Sequence, residues 1–134
     1  FNLLQKNQIS SAIVKSKYSI VSKHSKIGFG TVVMHNVIIN SGVNVGLNCI
    51  LNTNSLLEHD VKIGNHCHIS TGVIINGGVI IGDGCFVGSG SIIKEGVIIG
   101  DGAIISAGQI VLARLDNYDE YYDSYFFIVN DGET

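Results

Sequence analysis

Long apolar runs are missing from this sequence. Hydrophobic residues make up 46% of its 134 positions and mean hydropathy is +0.37, yet stretches such as Val79-Ile80-Ile81 stop almost at once. A transmembrane helix needs roughly 20 apolar residues in succession, so no such span is expected. Charge is also scarce. Charged residues make up 14% and the net charge is -3, too small and of the wrong sign for a nucleic-acid binder that neutralises phosphates. The three cysteines are an odd number with no Cys-x-x-Cys pair, so a disulfide framework is not expected. Proline is absent altogether. Ile and Val are dense enough to exclude disorder. Glycine is abundant, at 17 residues against a usual share of about 7%.

The abundant residues are periodic. Every sixth residue from Ile27 to Val111 is aliphatic, with no slip of phase; Val21 and Ile9 extend the series backwards, and Lys15 is the one miss. Three residues after each aliphatic stands Gly or a small polar residue in nearly every repeat, as at Gly30, Asn36, Asn54, Asp60 and Gly72. These types tolerate the positive φ of a tight corner. One further on comes a small or β-branched residue, as at Thr31, Val37, Cys49 and Val61. A second period of eighteen lies over the first: Ile27-Gly28, Val45-Gly46, Ile63-Gly64, Ile81-Gly82 and Ile99-Gly100. Three hexapeptides therefore make one turn of a triangular prism, with coils stacked about 4.8 Å apart. The fold class is all-β, a parallel β-helix of about six coils between Ile9 and Ala113. Residues 1–17 read as a lead-in with an irregular first coil, 18–113 as the repeat, and 114–134 as an acidic, aromatic cap or tail. Cys49, Cys67 and Cys85 fall in one inward column with Thr31 and Ala103, as buried thiols rather than a zinc site.

The aliphatic-Gly-x-x-small-x pattern resembles the hexapeptide-repeat family. That resemblance implies a left-handed helix, an exception to the right-handed crossover rule. It also implies a homotrimer with active sites between subunits. Function is expected where polar residues break the pattern without a packing reason. The main break is Asn52-Thr53-Asn54-Ser55-Leu56-Leu57-Glu58-His59-Asp60, followed by His66-Cys67-His68-Ile69-Ser70. Leu51-Asn52-Thr53, Glu58-His59-Asp60, His68-Ile69-Ser70-Thr71-Gly72 and Ile75-Asn76-Gly77-Gly78 together resemble one branch of the hexapeptide acyltransferases. That branch comprises sialic-acid O-acetyltransferases and the N-acetyltransferases of nucleotide-linked 4-amino sugars. The resemblance implies a cytoplasmic enzyme using acetyl-CoA as co-substrate, with no metal, membrane or nucleic-acid partner. It places the general base at His59, its orienting acid at Asp60, the acetyl group beside His68, and the thioester carbonyl on the amide of Gly77. Asn52 falls in the same binding stretch. Lys94 and Arg114 are candidate donors to the coenzyme's phosphates.

The residue types suit that chemistry. An amine or hydroxyl attacking a thioester must lose a proton, and an unperturbed imidazole, with pKa near ~6.5, can take it. A carboxylate on the other ring nitrogen fixes the tautomer. A backbone N–H at the developing oxyanion lowers the barrier. Gly77 follows His59 by eighteen residues, so it is expected one coil beyond on the same edge.

Two features depart from the branch. Its members carry a small N-terminal α/β subdomain for the nucleotide, whereas Phe1 to Lys17 suffices only for a lead-in. They also end in a Gly-x-Pro-Ala-Lys-like stretch, and this chain has no proline. Two other functions compete. A zinc enzyme of the carbonic anhydrase type would need a His-x-x-x-x-His pair, which the intervals from His59 to His66 and from His66 to His68 do not supply. A non-catalytic trimeric scaffold or assembly module is the stronger alternative.

Overall fold

The computed structural model describes residues 1–121. Most of the acidic aromatic tail, residues 122–134, lies outside the described residues. A parallel β-solenoid of about six turns accounts for nearly all of the rest. Its strands are two residues long, because the hexapeptide gives four of its six residues to each corner. The first face stacks seven strands: Val14–Lys15, Val32–Val33, Ile50–Leu51, His68–Ile69, Phe86–Val87, Ile104–Ile105 and Glu120–Tyr121. The second stacks six, from Ile20–Val21 through Leu56–Leu57 and Ile74–Ile75 to Ile110–Val111. The third stacks five: Lys26–Ile27, Asn44–Val45, Lys62–Ile63, Ile80–Ile81 and Ile98–Ile99. No helix among the described residues is long and apolar enough to cross a membrane.

The second residue of each strand points inward. From Val33 to Val111 every member of the six-step series is buried, and Val21 and Ile27 are half-buried at the open first coil. The corner column is buried with them, including Thr31, Val37, Ser55, Val61 and Val73. Cys49, Cys67 and Cys85 also lie in it as free thiols, and their Sγ atoms bond the carbonyls of Gly64, Gly82 and Gly100 at 3.0–3.1 Å. Hydrogen bonds with Cys49 and Cys85 on either side, with burial added, push the Cys67 thiol up and hold it protonated.

Both ends differ from the six-step phase. Ile9 is exposed and follows a short helix, Asn2–Lys6, rather than filling an inward slot. The wall begins at Val14–Lys15, where strand pairing with Val32–Val33 holds Lys15 despite its side chain. Beyond Ala113 the phase shifts by two residues. Ile104–Ile105 pairs with Glu120–Tyr121 rather than with residues eighteen on. The shortened corner brings Leu115, not Asn117, into the buried position beside Ile99. Sequence periodicity could not show this, because the deletion falls after the last matching repeat.

Glycine plays two different parts. Gly30, Gly42, Gly72 and their corner equivalents have positive φ, and Asn36, Asn48, Asn54, Asp60 and His66 share that conformation. The glycines of the eighteen-residue period do not. At Gly64 an added Cβ would lie 2.7 Å from the Gly82 carbonyl carbon and 2.8 Å from the Asp83 nitrogen. The space it leaves admits a ladder of side chains one coil on. Asn65, Asp83, Asp101 and Asn117 accept the N–H groups of Leu47, Asn65, Asp83 and Asp101 at 2.7–2.9 Å. These N–H groups point along the corner and have no strand partner, so the ladder satisfies them. Gly64→Ala is expected to cost about 3 kcal/mol by overpacking. Gly72→Ala, in open space, should cost about 1 kcal/mol of left-handed strain. Thermal denaturation of both variants checks this, and equal losses would show that space is not the constraint at Gly64.

Candidate active site

His59 and Asp60 occupy the corner between the second and third faces, in the coil whose strands are Leu56–Leu57 and Lys62–Ile63. Corners of this edge stack by backbone bonds: Gly42 N donates to His24 O, Asp60 N to Ser41 O, Gly78 N to His59 O, and Gly96 N to Gly77 O, at 3.0–3.1 Å. Gly77 therefore lies one coil beyond His59 on the same edge, as the spacing predicts. The contact is close. A Cβ at Gly77 would meet the His59 ring, with Cε1 at 2.6 Å and Nε2 nearer still. Gly77 does not have the positive φ of Gly78, so it is glycine to leave room for the imidazole.

The other ring nitrogen, His59 Nδ1, lies 3.1 Å from Asp60 Oδ2. A carboxylate only accepts, so Nδ1 carries a proton, and Nε2 is the nitrogen that lies over Gly77. Asp60 holds φ +60, a conformation in which the short polar side chain stays beside the corner, and its other oxygen leans over Gly42. The amide of Gly77 is available. Among the described residues its N–H meets no acceptor, whereas the matching N–H groups at the opposite corner are taken by the Asn/Asp ladder. His59, Asp60 and the free Gly77 N–H thus converge on one edge. Both side chains are open, at 69% for His59 and 71% for Asp60, so one chain gives the edge no second wall.

His68 does not join them. It lies on the first face, between Ile50 and Phe86 in register, and so on the side of the prism opposite the His59 corner. Its ring meets Phe86 edge-on at 5.3 Å. Asn52, one corner earlier, accepts the Thr53 N–H at 2.8 Å and turns its amide nitrogen to His68 Nε2 at 3.5 Å. Asn52 and His68 form a second polar group that faces away from the first.

Lys94 lies on the His59 edge, beyond Gly77. It lines a shallow depression of about 280 Å³ with Glu95, Val97, Ile98, Leu112 and Arg114. The sequence suggested Lys94 and Arg114 for the same ligand, and the solenoid brings them to one place. Arg114 also bonds Asp116 at 3.3 Å. Asn76 pins the next coil by donating to Ile93 O at 2.8 Å. His66 fills a left-handed corner slot against the Phe1 ring, 5.4 Å away, and serves packing. The Asn/Asp ladder escaped the sequence reading, although its members from Asn65 to Asp101 recur at intervals of eighteen.

The family model for the hexapeptide repeat of succinyl-transferases matches residues 78–113. No curated protein sequence matches the chain. Among solved structures, a histidine-to-asparagine variant of perosamine N-acetyltransferase from Caulobacter crescentus, in complex with CoA and GDP-perosamine, is 28% identical. It superposes with a TM-score of 0.87 over 89% of this chain and 57% of that one. WeeI from Acinetobacter baumannii is 27% identical, with a TM-score of 0.84 over 89% of this chain and 58% of that one. The acetyltransferase domain of PglB from Neisseria gonorrhoeae, in complex with acetyl coenzyme A, shares the fold at 24% identity and a TM-score of 0.82, over 86% and 58%. The chain spans less than three-fifths of the length of these structures. Over residues 78–113 it is similar to the hexapeptide repeat, and over most of its length it is similar in fold to solved sugar acetyltransferases.

Proposed function

We propose that this chain carries the catalytic edge of an acetyltransferase that moves the acetyl group of acetyl-CoA to an amine or hydroxyl of a sugar or nucleotide-linked sugar. The observation that carries this is the His59 imidazole lying over Gly77, its Nδ1 on Asp60 and the Gly77 N–H without an acceptor. The acceptor nitrogen or oxygen bonds to the thioester carbonyl carbon, and its proton passes to His59 Nε2. The negative charge that develops on the carbonyl oxygen meets the Gly77 N–H. The C–S bond then breaks, and the coenzyme's thiolate leaves with the proton. Asp60 holds the ring in the tautomer that can accept. Lys94 and Arg114 stand where the coenzyme's phosphates would be met.

The solenoid is left-handed in this reading, and three chains assemble. The second face presents an unbroken outward column of Ile20, Ile38, Leu56, Ile74, Ile92 and Ile110. Apolar surfaces of that extent are rarely left uncovered, and Ile80 and Ile98 add to them on the third face. Packing copies side by side brings the His59 edge of one chain to the first face of the next. His68 and Asn52 of that neighbour then supply the missing wall beside the acetyl group.

Isothermal titration with acetyl-CoA, paired with light scattering, tests the reading. The expected result is a trimeric mass with one coenzyme bound per chain. A monomer at micromolar concentration would remove the inter-subunit site. A trimer without coenzyme affinity would leave a scaffold.

A further inference from the structure

The third face, which borders the His59 edge, changes character at the catalytic coil. Its outward column reads Lys26, Asn44, Lys62, then Ile80 and Ile98, in register one coil apart. The change falls between Lys62, three residues after His59, and Ile80, three residues after Gly77. Polar positions therefore flank the edge on the His59 side, and apolar ones on the Gly77 side.

The stretch that leads into this column is basic. Residues 1–57 contain five lysines and no Asp or Glu. His59 pairs with Asp60 and Arg114 with Asp116, and neither pair involves Lys26 or Lys62. The nearest acids in sequence have other partners: Asp60 meets His59 Nδ1 at 3.1 Å, and Glu58 is bonded by Asn40 Nδ2 at 2.8 Å. Lys26 and Lys62 stand one coil either side of Asn44, about 4.8 Å per step. Two flexible ammonium groups and an amide at that spacing can close on a single anion. Cations beside a cleft also raise the local concentration of anionic ligands.

We infer that the Lys26–Asn44–Lys62 column binds an anionic group of the acceptor, phosphate or carboxylate, and so selects charged sugars. This rests on the transferase reading for its orientation. If the coenzyme runs from Gly77 along Ile80 and Ile98 to the Lys94–Arg114 depression, the acceptor has the other direction along the edge. Its reactive nitrogen or oxygen then lies at His59 and its anionic group at the lysines. The diphosphate of a nucleotide-linked sugar and the carboxylate of a sugar acid share this chemistry.

Two measurements test it. In the first, inorganic pyrophosphate and N-acetylneuraminate are titrated separately into the isotope-labelled chain, and amide shifts are followed by NMR. Shifts centred on Asn44 and Lys62, lost in the Lys26→Ala/Lys62→Ala double variant, are expected for at least one probe. The stronger probe identifies the source of the anion. In the second, acetyl transfer is measured with the acceptor that the wild type uses. Lys62→Ala should raise acceptor KM roughly tenfold, the share of one charge-assisted contact, with kcat and acetyl-CoA KM within about twofold, and Lys62→Arg should restore most of it. Acetyl transfer with acceptor KM unchanged in the double variant overturns the anion site and leaves the transferase intact. Anion binding at these lysines without coenzyme binding or transfer overturns the transferase reading alone.

Discussion

Replacing His59 by alanine should lower kcat roughly 10²–10⁴-fold, the usual contribution of a positioned general base. Acetyl-CoA affinity should change within a few-fold, because the imidazole meets the acceptor's proton and not the coenzyme's distant nucleotide. Stability should hardly move, since the side chain is 69% exposed on a corner. Asp60→Asn isolates the charge. Asparagine already holds the equivalent left-handed position at other corners, at Asn36, Asn48 and Asn54, so the backbone is kept while the carboxylate is lost. The rate should fall, by less than in His59→Ala, because the ring is still present but no longer held in one tautomer. Gly77→Ala should displace the imidazole and depress kcat while leaving the fold intact, since the colliding atoms belong to an exposed side chain. Coenzyme thiol release, followed colorimetrically, reads all of these. Turnover of His59→Ala within a few-fold of wild type would end the assignment and move attention to His68.

Truncating the core should have the largest effect on stability. Ile75 is fully buried and stacks between Leu57 and Ile93 in the inward column of the second face. Ile75→Ala should cost about 2–5 kcal/mol, from lost burial and from the cavity left behind. Relaxation is limited, because neighbouring coils are fixed by parallel pairing above and below and each coil contacts only its neighbours. Ile74, the preceding residue, points outward. Ile74→Ala should cost less within one chain and act on assembly, making the melting temperature more dependent on protein concentration. Chemical denaturation of the two variants at several concentrations separates these effects. Equal, concentration-independent losses would show that the second face is not an interface.

The inward positions were legible because a solenoid imposes one geometric requirement every six residues. An aliphatic side chain fits between identical side chains above and below, so fold and core share one period. The left-handed corners were legible for the same reason: Gly, Asn and Asp are the residues that tolerate them. The pairing of His59 with Gly77 followed from a separation of eighteen, one full turn. The ends were less legible. At Ile9 the phase continues by coincidence into a turn after a helix, and beyond Ala113 a two-residue shortening moves Leu115 and Tyr121 into line. A period carries no information past the point where it is interrupted.

The sequence by itself determined the coil, its pitch, the inward columns, and the residues of the His59 edge, because each depends only on separation along the chain. The tertiary structure decided which polar groups share a side. His59, Asp60 and Gly77 converge, while His68 and Asn52, only a few residues away in sequence, face the opposite way. The same geometry gathered Lys94 with Arg114 and aligned Lys26, Asn44 and Lys62 beside the His59 corner. The reason is angular. Each hexapeptide turns the chain by about a third of a revolution, so nine residues carry His68 half-way around the prism from His59, while eighteen bring Gly77 back beneath it.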